Sequence, residues 1–247
     1  MSLRKKTALI TGSGQNIGRA IALQLASDGC NIVLNGSTDE AACESVATEI
    51  KAFNVEVLIA MGDVGRSEDC ASIAKQSLQR FTNIDILVNN AAIRPSSPFL
   101  EMDEKEWKRV LDVDLQAAFW LSRAFLPGMI KQEWGRIINI AGMNAIHGYN
   151  GRAHVSVAKH GAWGLTKALG KEFGPKGITS NTISPGPIEG QYADPEEVAH
   201  LKHTMEKVPL GRLGASREIA GMVSLIAGNS GGYINGQLIQ INGGAET

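Results

Sequence analysis

The sequence predicts an α/β fold: a doubly wound parallel sheet in a single domain of 247 residues. Two patterns carry that prediction. Short runs rich in β-branched residues alternate with helical patterns from one end to the other, the mark of βαβ units whose crossovers keep strands parallel. A glycine-rich turn, Thr11-Gly12-Ser13-Gly14-Gln15-Asn16-Ile17-Gly18, also falls between the first strand-like run and the first helical one. The length fits one domain, because a single core stops growing at about 250 to 300 residues.

Taken in order, strands are expected over residues 7–11, 31–35, 55–60 and 84–89, with helices over 17–28, 40–52 and 68–80 between them. A long helix from 103 to about 130 leads to a strand at 136–141. An irregular glycine-containing stretch then precedes a helix over 155–173 and a strand over 178–184, stopped by the breaker Pro185-Gly186-Pro187. A small mobile substrate-loop region is expected over about 188–212, with a helix near 195–207. A helix over 216–227 and a strand over 237–241, ended by Asn242-Gly243-Gly244, complete the series. No linker or internal repeat interrupts it, so no second domain is expected.

Lys plus Arg (24) nearly equals Asp plus Glu (25), and a net charge of -1 lacks the field that a nucleic-acid or anionic-membrane partner needs. A small-molecule substrate is the expected partner. Cys30, Cys43 and Cys70 form no CxxC pair and fit a reduced, cytoplasmic setting. The basic start Arg4-Lys5-Lys6 precedes too short an apolar stretch for a signal peptide or membrane span. Helices 104–130 and 155–173 are apolar around much of their circumference, which suggests burial beyond one monomer.

The glycine turn sits where a Rossmann fold presents backbone N–H groups and a positive helix end to a pyrophosphate. That makes Gly12, Ser13, Gln15, Asn16, Ile17 and Gly18 candidate cofactor contacts. Asp63-Val64 after the third strand and Asn89-Asn90-Ala91-Ala92 after the fourth lie at strand carboxyl ends, where open α/β sheets bind ligands. At the end of the second strand, Asn35-Gly36-Ser37-Thr38 brings neutral groups where an acidic residue would hold a ribose 2′-hydroxyl and repel a 2′-phosphate. The missing carboxylate favours NADP over NAD, with Ser37 at that end of the site.

These motifs resemble those of the short-chain dehydrogenase/reductases over nearly the whole chain. TGSGQNIG is similar to their TGxxxGxG, NNAA to their NNAG, and Pro185-Gly186-Pro187-Ile188 to their PG motif beside the nicotinamide. The resemblance implies that Gly12 and Gly18 line the pyrophosphate, Asp63 and Val64 flank the adenine, and Asn89 supports the ribose side, with Ala91 a further cofactor contact. It also implies that Pro185, Gly186 and Ile188 meet the nicotinamide. Asn16 replaces the middle glycine, tolerable because Asn enters left-handed conformations more readily than most residues.

In that family a Tyr-x-x-x-Lys pair shares one helix face, and the ammonium lowers the phenol pKa so that the phenol can exchange the proton accompanying hydride transfer. A serine orients the carbonyl. Matching Val155-Ser156-Val157-Ala158-Lys159 to that pattern leaves Lys159 on the lysine, Val155 on the tyrosine, Gly142 on the serine, and Asp114 where an asparagine is usual. No YxxxK occurs anywhere in the chain. The resemblance keeps for Lys159 a contact to the nicotinamide ribose and implies that Asp114 faces it, directly or through water. Tyr149 and His147, on the loop after the fifth strand, are the candidate replacement acids; His154 points about 100° away around the helix.

The leading expectation is therefore an atypical NAD(P)(H)-dependent oxidoreductase acting on a carbonyl or secondary alcohol, similar to 3-oxoacyl carrier-protein reductases, and a homotetramer or homodimer. The alternatives are a nucleotide-dependent lyase, dehydratase or isomerase, and a non-catalytic dinucleotide-binding protein. No metal site is expected.

Overall fold

A computed structural model describes residues 3–191 and 204–246. Seven parallel strands form one sheet in the order β3-β2-β1-β4-β5-β6-β7. They are β1 (Thr7–Ile10), β2 (Asn31–Leu34), β3 (Val57–Ile59), β4 (Ile86–Asn89), β5 (Gly135–Ile140), β6 (Ile178–Pro185) and β7 (Leu238–Ile241). The order reverses between β1 and β4, which leaves a crevice at their carboxyl ends.

Alternation along the strands explains why both faces are covered. Ile10, Ile32, Leu34, Ile86, Val88 and Ile138 point into one apolar cluster with helices α1 (Asn16–Ser27) and α2 (Glu40–Ile50) and with α7 (Ser216–Ala227). Their neighbours Leu9, Val33, Leu87 and Ile137 point into a second cluster with α3 (Ser67–Phe81) and α5 (Ala117–Lys131). Helix α6 (Ala153–Phe173) joins this second layer through Leu169 and Phe173.

The long helix expected from 103 is not uniform. Helix α4 (Glu104–Leu111) passes into α5 through a π turn at Asp112–Gln116, whose extra residue shifts the helical register in mid-course. Hydrophobic spacing gives no sign of this. A buried chain of amides and hydroxyls fixes α6 on the sheet: Asn89 Nδ2 donates to Asn139 Oδ1 at 2.8 Å, and Asn139 Nδ2 to Thr166 Oγ1 at 2.8 Å. Thr166 and Thr182 hydroxyls are 2.7 Å apart.

The expected substrate-loop region, and the helix near 195–207 within it, lie in large part outside the described residues. Its beginning is held: Ile188 pairs with Gly214 as an isolated parallel bridge. Among the described residues no helix is long and apolar enough to cross a membrane, and no group of three or more His, Cys, Asp or Glu could hold a metal. Cys30, Cys43 and Cys70 are free and buried.

Candidate active site

The crevice opens into a cavity of about 430 Å³ along the carboxyl ends of the strands. One half is built on β1 to β3. Gly12 adopts φ +60°, and a Cβ at Gly18 would lie 2.2 Å from the Gly12 carbonyl oxygen, so both positions admit only glycine. Asn16 has φ +48°, the left-handed conformation anticipated for it. Its carboxamide reaches across the cavity mouth: Nδ2 donates to the Gln191 carbonyl at 3.3 Å, and Oδ1 accepts from the Gln191 N–H at 2.9 Å.

Helix α1 begins here with no side-chain cap and no acid in its first turn. Asp39 caps α2, accepting from the Ala42 N–H, and Asp103 caps α4, accepting from the Lys105 N–H. The first turn of α1 borders the cavity: Gly12, Gln15, Asn16, Ile17 and Gly18 all line it. An uncapped positive helix end behind a glycine cradle fits the diphosphate of a dinucleotide.

Ser37, Asp63, Val64 and Ala91 line this half of the cavity too. Asp63 is engaged, its carboxylate 2.8 Å from Arg109 Nη2 and accepting from the Gly65 N–H at 2.9 Å. Two predicted contacts are not on the wall. Ser13 is fully buried, its hydroxyl accepting from the Asn35 N–H at 2.9 Å, so it ties the glycine turn to β2. Asn89 points beneath the cavity into the buried chain described above. Asn90, the next residue, is the one on the wall, because side chains alternate across a strand. Its Nδ2 donates to the carbonyls of Thr11 at 2.9 Å and Gly12 at 3.0 Å.

The other half is built on β4 to β6, with Pro185, Gly186 and Ile188 on its wall. Lys159 lines it from α6 but is only 3 % exposed. Its ammonium lies 3.0 Å from Asp114 Oδ2 and donates to the Ile140 carbonyl at 3.3 Å. Asp114, on the π turn, faces Lys159 directly as expected, and its Oδ1 accepts from the Ile93 N–H at 2.8 Å. It is not on the wall of the large cavity; it borders a water-sized void of about 10 Å³ beneath, together with Asn89. An acid so placed holds Lys159 and reaches substrate only through it.

Val155 is fully buried. Gly142 lines the cavity with φ +120°, a conformation that a serine would adopt only under strain. Tyr149 lines the cavity, and burial pushes its phenol above the ordinary tyrosine value, the Glu246 carboxylate adding to the shift and the Arg152 guanidinium opposing it. That is opposite to the lowered phenol implied by the resemblance. His147 is set back from the wall: its ring is 4.6 Å from the Tyr149 ring, and its Nδ1 is 3.2 Å from Glu246 Oε1. Glu246 sits in the last residues of the chain, where sequence reasoning had no signal to find it. His154 is buried with Nε2 3.2 Å from Glu106 Oε1, away from the cavity.

With this geometry in place, comparison with known proteins is informative. The family described as enoyl-(acyl carrier protein) reductase matches residues 12–246. A 3-oxoacyl-[acyl-carrier-protein] reductase of Staphylococcus epidermidis is 36% identical over 241 residues, covering 97% of this chain and 98% of the relative. One of Pseudomonas aeruginosa is 36% identical over 244 residues, covering 99% and 98%. The crystal structure of a candidate gluconate dehydrogenase of Agrobacterium tumefaciens superposes with a TM-score of 0.91 at 30% identity, over 99% of this chain and 97% of that one. The sheet order, the glycine cradle at α1 and these likenesses agree that the chain belongs to the short-chain dehydrogenase/reductase family and shares the fold of its oxidoreductases.

Proposed function

We propose that the protein is an oxidoreductase with an altered proton donor, which uses NADP(H) in preference to NAD(H) to interconvert a carbonyl and a secondary alcohol. One observation carries the reading: an uncapped α1 terminus behind a glycine cradle opens into the same cavity as Lys159. When bound, the nicotinamide would give or take the hydride. Gly12, Gln15, Asn16, Ile17 and Gly18 would hold the diphosphate, Asp63, Val64 and Ala91 the adenosine side, and Pro185, Gly186 and Ile188 the nicotinamide. Ser13 and Asn89 would act from beneath, by fixing the turn and α6. Lys159 would meet the nicotinamide ribose, oriented by Asp114.

Tyr149 replaces the family tyrosine in this reading. Burial holds the phenol above its usual pKa and makes it a weaker acid, so it would donate to a carbonyl oxygen only as negative charge develops there in the reductive direction. His147 and Glu246 stand behind it and would restore its proton. NADP is supported by the end of β2. There the Asn35 amide is consumed by the Ala60 and Gly62 carbonyls, leaving Ser37 and no carboxylate to meet the 2′ position. The named relatives are, by their names, a reductase of 3-oxoacyl-[acyl-carrier-protein] and a candidate dehydrogenase of gluconate, both within the carbonyl and secondary-alcohol class.

A cytoplasmic setting is supported by the three free thiols, and a homotetramer or homodimer by half-exposed Phe119 on α5 and Val157 on α6. Binding of NADPH and NADH to the purified protein, followed by fluorescence, and turnover with ketones and alcohols test the function. NADPH is expected to bind more tightly, and Tyr149→Phe to lower turnover at least about tenfold. Binding with no turnover on any carbonyl would refute the reading. It would favour the non-catalytic alternative, for which the burial of Val155 and the backbone of Gly142 already speak.

A further inference from the structure

Two arginines stand at the β4 to β6 end of the cavity. Arg94 follows β4 and Arg152 precedes α6; both line the cavity beside Asn144 and Tyr149. Their loops are joined, because the Ser97 N–H donates to the Gly151 carbonyl at 2.8 Å and a Cβ at Gly151 would meet Ser96 Oγ at 2.9 Å. Other guanidinium groups near the site are engaged: Arg109 with Asp63, Arg212 with Glu218, and Arg19 with Glu49. Arg94 and Arg152 form no side-chain hydrogen bond or ion pair among the described residues.

Among the described residues, the carboxylates of this region do not answer them. Asp114 is held by Lys159 and the Ile93 N–H, and Glu246 lies against His147. Glu189, exposed on the wall, lies within electrostatic reach of Arg212. Two guanidinium groups with no side-chain partner among the described residues, on linked loops and sharing the cavity wall with Asn144 and Tyr149, offer positive charge bordered by hydrogen-bonding groups. A guanidinium matches a carboxylate in planar, two-bonded geometry.

We propose that this end of the cavity takes a small hydroxy or oxo carboxylate, with Arg94 and Arg152 receiving its carboxylate group. The assignment rests on reading the cavity as a cofactor and substrate cleft, and deepens it by naming the substrate class. A free acid is bound through its charge, whereas a thioester or simple alcohol offers these arginines nothing.

Calorimetry on the full chain loaded with NADP+, using gluconate and 3-hydroxybutyrate beside their neutral amides, tests it. The acids are expected to bind at least about tenfold more tightly than the amides, as loss of a charge-assisted contact implies. Arg94→Gln and Arg152→Gln should each shrink that ratio several-fold, and Arg94→Lys should restore part of it, with melting curves confirming that each variant folds. Equal affinity for acid and amide, no binding of either, or a ratio indifferent to both Gln variants would overturn the proposal. Oxidation of neutral alcohols without preference for acids would overturn it too, while leaving the oxidoreductase reading intact. Acids that bind through both arginines without being turned over would sustain it and remove that reading.

Discussion

Replacing Asp114 by alanine removes the counter-charge of a lysine that has almost no access to water. Lys159 is 3 % exposed and Asp114 6 %, and the ammonium keeps only the Ile140 carbonyl once the carboxylate is gone. Leaving one ion of a buried pair uncompensated costs about 3 to 5 kcal/mol. The Ile93 N–H loses its acceptor in the same step, which places the expected cost toward the upper part of that range. For a chain of this size each kcal/mol moves the melting temperature by about 2 to 4 °C, so Asp114→Ala should melt about 6 to 20 °C lower. Asp114→Asn keeps one oxygen to accept from the Ile93 N–H but turns its NH2 toward the Lys159 ammonium, and should still cost about 1 to 3 kcal/mol. Thermal and urea unfolding of Asp114→Ala, Lys159→Met and the double variant close a cycle. The double variant should be more stable than the sum of the singles by at least about 1 kcal/mol. Additive costs, or an Asp114→Ala protein that melts like the parent, would refute the claim that the members of this buried pair depend on each other.

Two more outcomes follow from the geometry. Asn16→Gly keeps the left-handed backbone but loses both bonds to Gln191, at about 1 kcal/mol each; stopped-flow fluorescence should show NADPH leaving up to about thirtyfold faster, and an unchanged rate would dismiss the contact as incidental. Burial pushes the Cys30 and Cys70 thiols up to about 12, and raised folded-state values mean that the stability they support is present below pH 9 and lost as pH rises from 9 toward 12. Melting temperatures should therefore fall across that window, and thiol reagents should label neither residue in the native protein near neutral pH; rapid native labelling would contradict the burial.

Most of the fold was legible because strand runs such as Ala8 to Ile10 and Ile86 to Val88 can be nothing but buried parallel strands once helices separate them. The glycine cradle was legible for the same reason: Gly12 and Gly18 occupy positions where a Cβ is geometrically impossible or strained. What escaped depends on which side of an element a residue falls. Asn89 and Asn90 are chemically identical and adjacent, yet the pleat sends one under the cavity and the other onto its wall. Ser13 looks like a phosphate contact until its hydroxyl is found locked to β2. Arg94, Arg152 and Glu246 came together from loops and the chain end, where no periodicity records who meets whom.

The π turn at Asp112–Gln116 gives the missing tyrosine a different setting. One extra residue in a helical turn rotates the side chains on either side of it by about 100° relative to an unbroken α-helix. In this chain the wide turn aims an acid at Lys159. A single deletion within the turn would convert it to a plain α-helix, swing that acid out of the interior and leave the lysine without its counter-ion, with no catalytic residue changed. The setting of Lys159 at the cavity is thus tied to a counting property of the helix that carries its counter-ion.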